Sequence, residues 1–271
     1  MKYIAVTGRV LSGVGKGITA ASTGAMLQNL GLSVDVLKID PYLNVDAGTM
    51  NPNQHGEVFV TDDGYEADLD LGHYERFLNK NMTRFSNLTA GQVYLKILEK
   101  ERMGEYLGAT VQMIPHVTSQ VKSRISQLKG DVALMEIGGT VGDIESEIFL
   151  EAIREFSMDV GKDNFLFVHV TYVPFLGITN EFKTKPTQQS LQVLRRSGIV
   201  PDVIILRSEF ELPKSTIDKV ALFGGVKADS VFGLEDVSNV YSIPQKMHNP
   251  RYGSYCRGKV ESEPFRGIFM E

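Results

Sequence analysis

The sequence predicts an α/β fold: a doubly wound, mainly parallel sheet of the P-loop NTPase type, with helices on both faces. Short apolar runs alternate along the chain with segments whose apolar residues recur at helical spacing, which is typical of such sheets. A glycine-rich segment directly follows the first apolar run, as in proteins that hold a nucleotide triphosphate. A chain of 271 residues is long enough to bury the core of one such domain.

The predicted elements follow in chain order. Strands are expected at residues 3–7, 34–39, 110–114, 132–137, 165–173 and 203–206. Helices are expected at residues 19–30, 89–103, 147–157, 188–196 and 215–223. Gly31, Gly198 and Pro201 are interpreted as helix stops. Residues 40–64 form a long aperiodic segment, which is typical of a functional loop. We expect one domain over residues 1–245, followed by a tail, 246–271, that is loosely packed or partly disordered.

Composition restricts the classes of protein that fit. The net charge of −5 argues against a nucleic-acid partner, and no apolar run reaches the roughly 20 residues of a membrane span. The single cysteine, Cys256, excludes an intramolecular disulfide and a cysteine metal cluster. The N-terminus lacks the pattern of a secretory signal. Together these features predict a cytoplasmic protein.

The glycine-rich loop is the first candidate site. Gly13, Gly15 and Gly17 would let backbone N–H groups approach phosphate oxygens, and Lys16 would add a charge for the terminal phosphates. The spacing departs from the Walker form, because Gly8 lies too far back and Gly17 stands where Ser or Thr is usual. The alternative is an ordinary glycine turn after a first strand.

Further candidates follow the ends of the predicted strands, where ligands bind in open parallel sheets. Asp70 and Glu136 are hard carboxylates suited to Mg²⁺ beside phosphates, or else surface carboxylates or helix caps. Asp143 and Glu145 would either accept ribose hydroxyl protons or complement the dipole of the following helix. The segment Lys183–Gln188 suits a second polyphosphate, or is a solvated basic turn.

Several long strings resemble the CTP synthase family over roughly residues 2–245. They are residues 38–50, 54–64, 68–77, 136–146 and 183–188. The resemblance implies ATP-dependent amination of UTP to CTP through a uracil phosphorylated on its 4-oxygen, with ammonia as the nitrogen donor. It also implies Mg²⁺ and a homotetramer whose pyrimidine-nucleotide site is shared between subunits.

The resemblance further assigns roles to individual positions of this sequence. Lys16 and Lys38 would be catalytic, Asp70 and Glu136 would bind the metal, and His55 would stand at the mouth of the ammonia route. ATP would be bound by Gly13, Val14, Gly15, Lys16, Gly17, Ile18, Asp70, Glu235, Asp236 and Val237. UTP or CTP would be bound by Ser12, Asp143, Ile144, Glu145, Lys183, Thr184, Lys185, Pro186, Thr187, Gln188 and Lys219.

Two departures from the family pattern stand out. The family carries a second, glutaminase domain, so we expect this chain to use ammonia that it cannot make from glutamine, or ammonia from a separate glutaminase. Arg9 stands where the family has glycine, and either binds or crowds a phosphate or is tolerated on the outer side of the loop. Two alternatives stay open: a stand-alone paralogue that aminates a different pyrimidine nucleotide or uses another amine, and a non-catalytic nucleotide-binding regulatory subunit.

Overall fold

The computed structural model describes residues 1–10 and 13–247. Its strands are β1 Lys2–Gly8, β2 Val34–Asp40, β3 Phe59–Val60, β4 Glu66–Ala67, β5 Asn87–Thr89, β6 Val132–Ile137, β7 Phe165–Tyr172, β8 Phe175–Leu176, β9 Glu181–Phe182, β10 Val203–Ser208 and β11 Val231–Glu235. Its α-helices are α1 Lys16–Asn29, α2 Pro52–His55, α3 Asp70–Leu78, α4 Ala90–Arg102, α5 Thr118–Ile125, α6 Ile144–Val160, α7 Lys185–Arg196, α8 Lys214–Gly224 and α9 Ile243–Met247.

Seven strands form one sheet in the order β11-β10-β7-β1-β6-β2-β5, and every neighbouring pair is parallel. β6 lies between β1 and β2 and is parallel to both, so the carboxyl ends of these three strands lie side by side at one edge of the sheet. This arrangement confirms the predicted doubly wound fold. It also places the loop after β1 where such sheets bind ligands.

Both faces of the sheet are covered by helices. On β1, Ile4 and Val6 belong to a core shared with α1, α3 and α9, while Ala5 belongs to a second core shared with α4, α5 and α6. Leu191 of α7 and Val220 of α8 extend the second face over β10 and β11. The central strands are therefore buried on both sides, which explains why they read as continuous apolar runs in the sequence.

The predicted strand at residues 110–114 is wrong. These residues form a largely exposed loop that enters a π-helical turn, Met113–Val117. The sheet edge next to β2 is occupied by β5, a three-residue strand that leads directly into α4. A short apolar run alone does not distinguish a buried strand from an exposed segment. The strand β11 and the helices α3 and α5 were not predicted.

The long segment after β2 is ordered by local pairing. β3 pairs antiparallel with β4, Asn51 caps α2, and the Ala47 amide donates to the Glu66 carbonyl at 3.1 Å. None of the helices in the described ranges has the length and apolar composition needed to cross a membrane. The domain boundary at residue 245 stays a prediction, and most of the predicted tail, residues 248–271, lies outside the described residues.

Candidate active site

The phosphate loop lies between β1 and α1, as predicted. Gly13 and Gly15 adopt φ angles of 77° and 90°, in the left-handed region where glycine carries no steric penalty. Gly15 is the N-cap of α1 and Lys16 is its first residue, so the free N–H groups of the first turn open toward the loop. Such a helix start favours bound anions.

Two glycines explain the departure from Walker spacing. A Cβ on Gly8 would lie 2.7 Å from Lys16 Cδ, so the lysine stem can cross β1 only because this position has no side chain. A Cβ on Gly17 would lie 2.5 Å from Asp70 Oδ1. The absence of a side chain at Gly17 therefore lets the Asp70 carboxylate reach the first turn of α1.

Lys38 is surrounded by carboxylates. Its Nζ lies 2.5 Å from Asp70 Oδ2, 2.9 Å from Glu136 Oε2, 3.6 Å from Asp40 Oδ1 and 3.7 Å from Asp68 Oδ1. The parallel register of β2 and β6 sets Lys38 directly beside Glu136, and α3 brings in Asp70 at its first residue. We call Lys38 with these four carboxylates the acidic cage.

The charges of the acidic cage depend on burial and on these contacts. Burial disfavours the Lys38 ammonium, but the fields of Asp40, Glu136 and Asp70 outweigh it and raise the lysine pKa well above its usual range. Burial also raises the pKa of Asp40 to about 7, against the opposing effect of Lys38. For Asp70 the attraction of Lys38 outweighs burial and lowers the pKa. Lys38 is therefore charged at neutral pH.

Additional hydrogen bonds hold the cage in place. The Tyr74 hydroxyl donates to Glu136 Oε2 at 3.2 Å, and Asn87 Nδ2 donates to Asp40 Oδ2 at 2.8 Å. The Asp70 amide donates to Asp68 Oδ1 at 2.9 Å. Sequence reasoning assigned no role to Asp40, Asp68 or Tyr74, although all three lie within the strings that carried the family resemblance.

A cavity of about 540 Å³ joins the loop to the cage. Lys16 lines this cavity, its Nζ donates to the Gly139 carbonyl at 2.6 Å, and burial lowers the pKa of Lys16. His55, Asp143 and Glu145 line the same cavity. The structure thus brings together most of the predicted phosphate, metal and ammonia-route residues: Gly13, Val14, Gly15, Lys16, Gly17, Ile18, Lys38, His55, Asp70, Glu136, Asp143 and Glu145.

The donor set fits a magnesium ion. Among the described residues no group of three or more His, Cys, Asp or Glu side chains is arranged to hold a metal, but Mg²⁺ commonly takes only one or two protein carboxylates. Asp70 and Glu136 supply two hard oxygens beside the cavity. Both contact the Lys38 ammonium, which shows that their oxygens converge on a cation.

The basic segment before α7 lines a different cavity, of about 620 Å³. Lys183, Thr184, Lys185 and Gln188 lie there with Lys219 of α8, and Lys183 pairs with Glu181. Thr187 points the other way: it is fully buried and its hydroxyl donates to the Tyr172 carbonyl at 3.1 Å. Within one chain these cations therefore do not share the cavity of the acidic cage.

Among the remaining predicted positions, Glu235 ends β11 and pairs with Lys246, and Asp236 accepts a 2.6 Å hydrogen bond from Arg207 Nη2. A Cβ on Gly15 would lie 3.6 Å from Arg207 Nε, so this arginine connects the segment after β11 to the phosphate loop. Sequence reasoning missed Arg207, because only the sheet order brings the end of β10 near the loop.

The remaining predicted positions lie at or near the ends of β11, α6 and α7, apart from Ser12. Val237 packs partly buried against the first core. Ile144 is 81% exposed at the start of α6, and Pro186 is at the second position of α7. Asp143 is the N-cap of α6 but makes no side-chain cap hydrogen bond. Ser12 lies outside the described residues.

Arg9 does not point outward from the loop. Its backbone N–H donates to the Val170 carbonyl at 3.2 Å, and its side chain runs under the turn at Gly142, where a Cβ would lie 3.5 Å from Nη1 and 2.9 Å from Val193. Arg9 Nη1 is buried and has no hydrogen-bond partner in the described part of the chain. The guanidinium therefore lies beneath the turn that carries Asp143.

Fold and site together define a nucleotide-binding domain with a phosphate loop, two candidate catalytic lysines and a carboxylate pair suited to magnesium. The chain belongs to the family described as CTP synthase N-terminus, whose model matches residues 2–260. It is 66% identical to the CTP synthase of Thermotoga maritima over 99% of this chain and 51% of the relative. It is 62% identical to that of Thermosipho africanus over 92% of this chain and 47% of the relative.

The chain spans about half the length of the curated relatives it matches. Among solved structures, the 54 kDa signal recognition particle protein of Aeropyrum pernix in complex with GDP aligns with 99% of this chain and 50% of its own, at 11% identity and a TM-score of 0.46.

Proposed function

We propose that the chain catalyses ATP-dependent amination of UTP to CTP. The uracil 4-oxygen attacks the γ-phosphorus of ATP, and the bond from that phosphorus to the β–γ bridging oxygen breaks to release ADP. The uracil N3 proton is lost, and a phosphate ester remains at carbon 4. Ammonia then attacks carbon 4, loses a proton, and expels inorganic phosphate. That phosphate carries the original 4-oxygen. The observation that carries the proposal is the convergence of Lys16, Lys38, Asp70 and Glu136 on one cavity beside the phosphate loop.

The residues of the site have distinct roles in this proposal. The loop amides and the start of α1 bind the ATP phosphates, and Lys16 adds its charge to the terminal ones. Lys38, charged at neutral pH, stabilises the charge on the phosphoryl group in transfer. Asp70 and Glu136 hold Mg²⁺, which when bound neutralises charge on the phosphate oxygens.

The pyrimidine nucleotide is bound by groups from both cavities. The carboxylates of Asp143 and Glu145 lie with the acidic cage, whereas Lys183, Lys185 and Lys219 line the other cavity. This separation within one chain supports a homotetramer in which one subunit supplies the pyrimidine-phosphate cations of its neighbour's site. Ammonia enters past His55, from solution or from a glutaminase. A cytoplasmic location belongs to the same proposal.

The test is direct. The purified chain is incubated with ATP, UTP, Mg²⁺ and an ammonium salt, and formation of the cytosine ring is followed by absorbance. We expect CTP and ADP in equal amounts, and no CTP without ATP. Absence of CTP, with ATP and UTP both bound, would favour a non-catalytic regulatory subunit instead.

Matched lysine variants locate the site. Lys16→Met should abolish turnover, and Lys219→Met should raise the KM for UTP while leaving that for ATP nearly unchanged. Lys80→Met is the control, because Lys80 pairs with Asp35 on the surface at 2.8 Å. A fall in activity in the control equal to that in Lys16→Met would contradict the assignment.

A second candidate function is amination of a different pyrimidine nucleotide. The observation that motivates it is the position of Arg9 beneath the turn that carries Asp143. The same assay with a panel of uridine nucleotides, natural and base-modified, distinguishes the two. UTP as the best acceptor supports the main proposal, and a clear preference for another nucleotide supports the second.

A further inference from the structure

We propose that the Lys38 ammonium and Mg²⁺ exchange places in the acidic cage, so that binding the metal releases Lys38 toward the substrate cavity. The inference rests on the proposed function, because that function assigns the metal to Asp70 and Glu136. It goes further by making metal binding and delivery of the catalytic lysine a single event.

Geometry first shows that the two cations compete for the same carboxylates. Lys38 Nζ contacts Asp70 Oδ2 at 2.5 Å and Glu136 Oε2 at 2.9 Å, so it occupies one oxygen of each carboxylate that would hold the metal. A divalent ion on the same two oxygens would lie within a few ångströms of the ammonium. Like charges at that distance, away from bulk water, repel strongly.

Burial then shows why the cage always needs a cation. Glu136 is 1% exposed, Asp40 4% and Lys38 5%. Removing Lys38 without replacement would leave several largely buried carboxylates with Lys16 as the cation that still acts on them, which is costly. The ammonium therefore stands in for the metal while no metal is bound, and a departing ammonium requires an arriving metal.

The released side chain has a place to go. Lys38 lines the cavity of about 540 Å³, together with Lys16 and the phosphate loop. The transferring phosphoryl group of the proposed reaction would occupy this cavity. Its anionic oxygens would replace the carboxylate oxygens that the Lys38 ammonium leaves behind in the cage. Exchange thus brings Lys38 to the phosphoryl group only when the metal is present.

The first experiment measures Mg²⁺ binding and thermal unfolding without any nucleotide. Removing the competing cation in Lys38→Met should tighten Mg²⁺ binding by at least about tenfold. It should also lower the melting temperature in EDTA and restore it with Mg²⁺, while the wild type changes little. Lys122→Met is the matched control, because Lys122 also bridges two carboxylates, Glu155 and Asp159, at 3.0 Å each but lies outside the cavity. Equal Mg²⁺ affinity in Lys38→Met and the wild type would overturn the proposal.

The second experiment uses the wild type and does not depend on the folding of a variant. Lysine acetylation followed by mass spectrometry should label Lys38 slowly in EDTA and several-fold faster with Mg²⁺. Lys122 should label at the same rate in both. An unchanged rate at Lys38, at Mg²⁺ concentrations that saturate the site, would overturn the exchange. Because neither experiment contains ATP or UTP, a failed amination assay would not affect them.

Discussion

At the scale of single residues, glycines determine which side chains can reach the phosphates. Gly8 makes room for the stem of Lys16, and Gly17 makes room for the carboxylate of Asp70. The sequence predicted the loop and its lysine, because three glycines and a lysine between a first strand and a helix are typical of a phosphate-binding loop. It did not predict the partners of these glycines, since Asp70 lies 53 positions beyond Gly17 and only folding brings them together.

Gly17→Ala should therefore damage the site and not the fold. The added methyl group would displace the Asp70 carboxylate, and a displacement of about 1 Å can cost roughly a hundredfold in rate. We expect kcat/KM for ATP to fall by about tenfold to a hundredfold. Alanine is favoured over glycine in a helix by about 1 kcal/mol, so the melting temperature should not fall for helical reasons.

Gly24→Ala, in the same helix, is the matched control. Its methyl group would lie 2.7 Å from Leu78 Cδ2, in the core and away from the cavity. This variant should lose stability and keep its KM for ATP. The account of Gly17 fails if the two alanine variants show the same kinetics.

Arg9→Met tests the buried guanidinium. Methionine keeps an apolar side chain under the Gly142 turn and removes Nη1, a buried donor for which the described residues provide no hydrogen-bond partner. An unsatisfied buried donor costs about 1–3 kcal/mol, so the free energy of unfolding in urea should rise by about that amount. A loss of stability would mean instead that the guanidinium is satisfied and holds the turn in place.

At the scale of elements, a buried polar chain connects the phosphate-loop strand to α7. Thr7 of β1 lies 2.9 Å from His169 Nδ1 of β7, and His169 Nε2 lies 2.6 Å from Ser190 Oγ of α7. All three residues are at most 1% exposed. The Thr7 hydroxyl also donates to the Val168 carbonyl at 3.3 Å, which leaves it to accept from Nδ1–H and leaves Nε2 to accept from Ser190. These contacts make His169 a structural residue that links the sheet to α7.

The stability of the folded chain should depend on pH, because His169 is buried. Burial, with the nearby charges of Lys16 and Arg9, lowers the pKa of His169 to about 3 from the ordinary value of 6.5. Between these values the unfolded chain binds a proton that the folded chain does not, so stability is lost as the pH falls below 6.5. At pH 5 the loss is about 2 kcal/mol.

His169→Gln should therefore lose about 2 kcal/mol less than the wild type between pH 7 and pH 5 in urea unfolding. The variant is expected to be less stable at pH 7, because glutamine replaces only part of the hydrogen-bond chain. Parallel pH profiles for the two proteins would contradict a neutral, buried His169.

The strands differ in whether the sequence alone could predict them. β1, β2, β6, β7 and β10 were predicted, because burial on both faces gives each a continuous apolar run. β5 has three residues, and β11 is interrupted by Gly233, so neither gives such a run. The segment at residues 110–114 gave a similar run without being buried, because β5 already pairs with that edge of β2.

At the scale of the whole molecule, the alternation of elements predicted the fold but not the order of its strands. That order decides the site, since it sets β2 beside β6 and therefore Lys38 beside Glu136. It also separates the basic segment before α7 from the acidic cage, whereas the sequence alone suggested a second polyphosphate site without its position relative to the first. The family resemblance supplied the expectation of a shared site between subunits, and the two cavities are compatible with it.

The central claim is that this site phosphorylates the uracil 4-oxygen before ammonia displaces it. UTP labelled with ¹⁸O at position 4 is incubated with the chain, ATP, Mg²⁺ and an ammonium salt, and the inorganic phosphate is analysed by mass spectrometry. The account predicts one ¹⁸O atom in the phosphate for each CTP formed. CTP formed with unlabelled phosphate would contradict it.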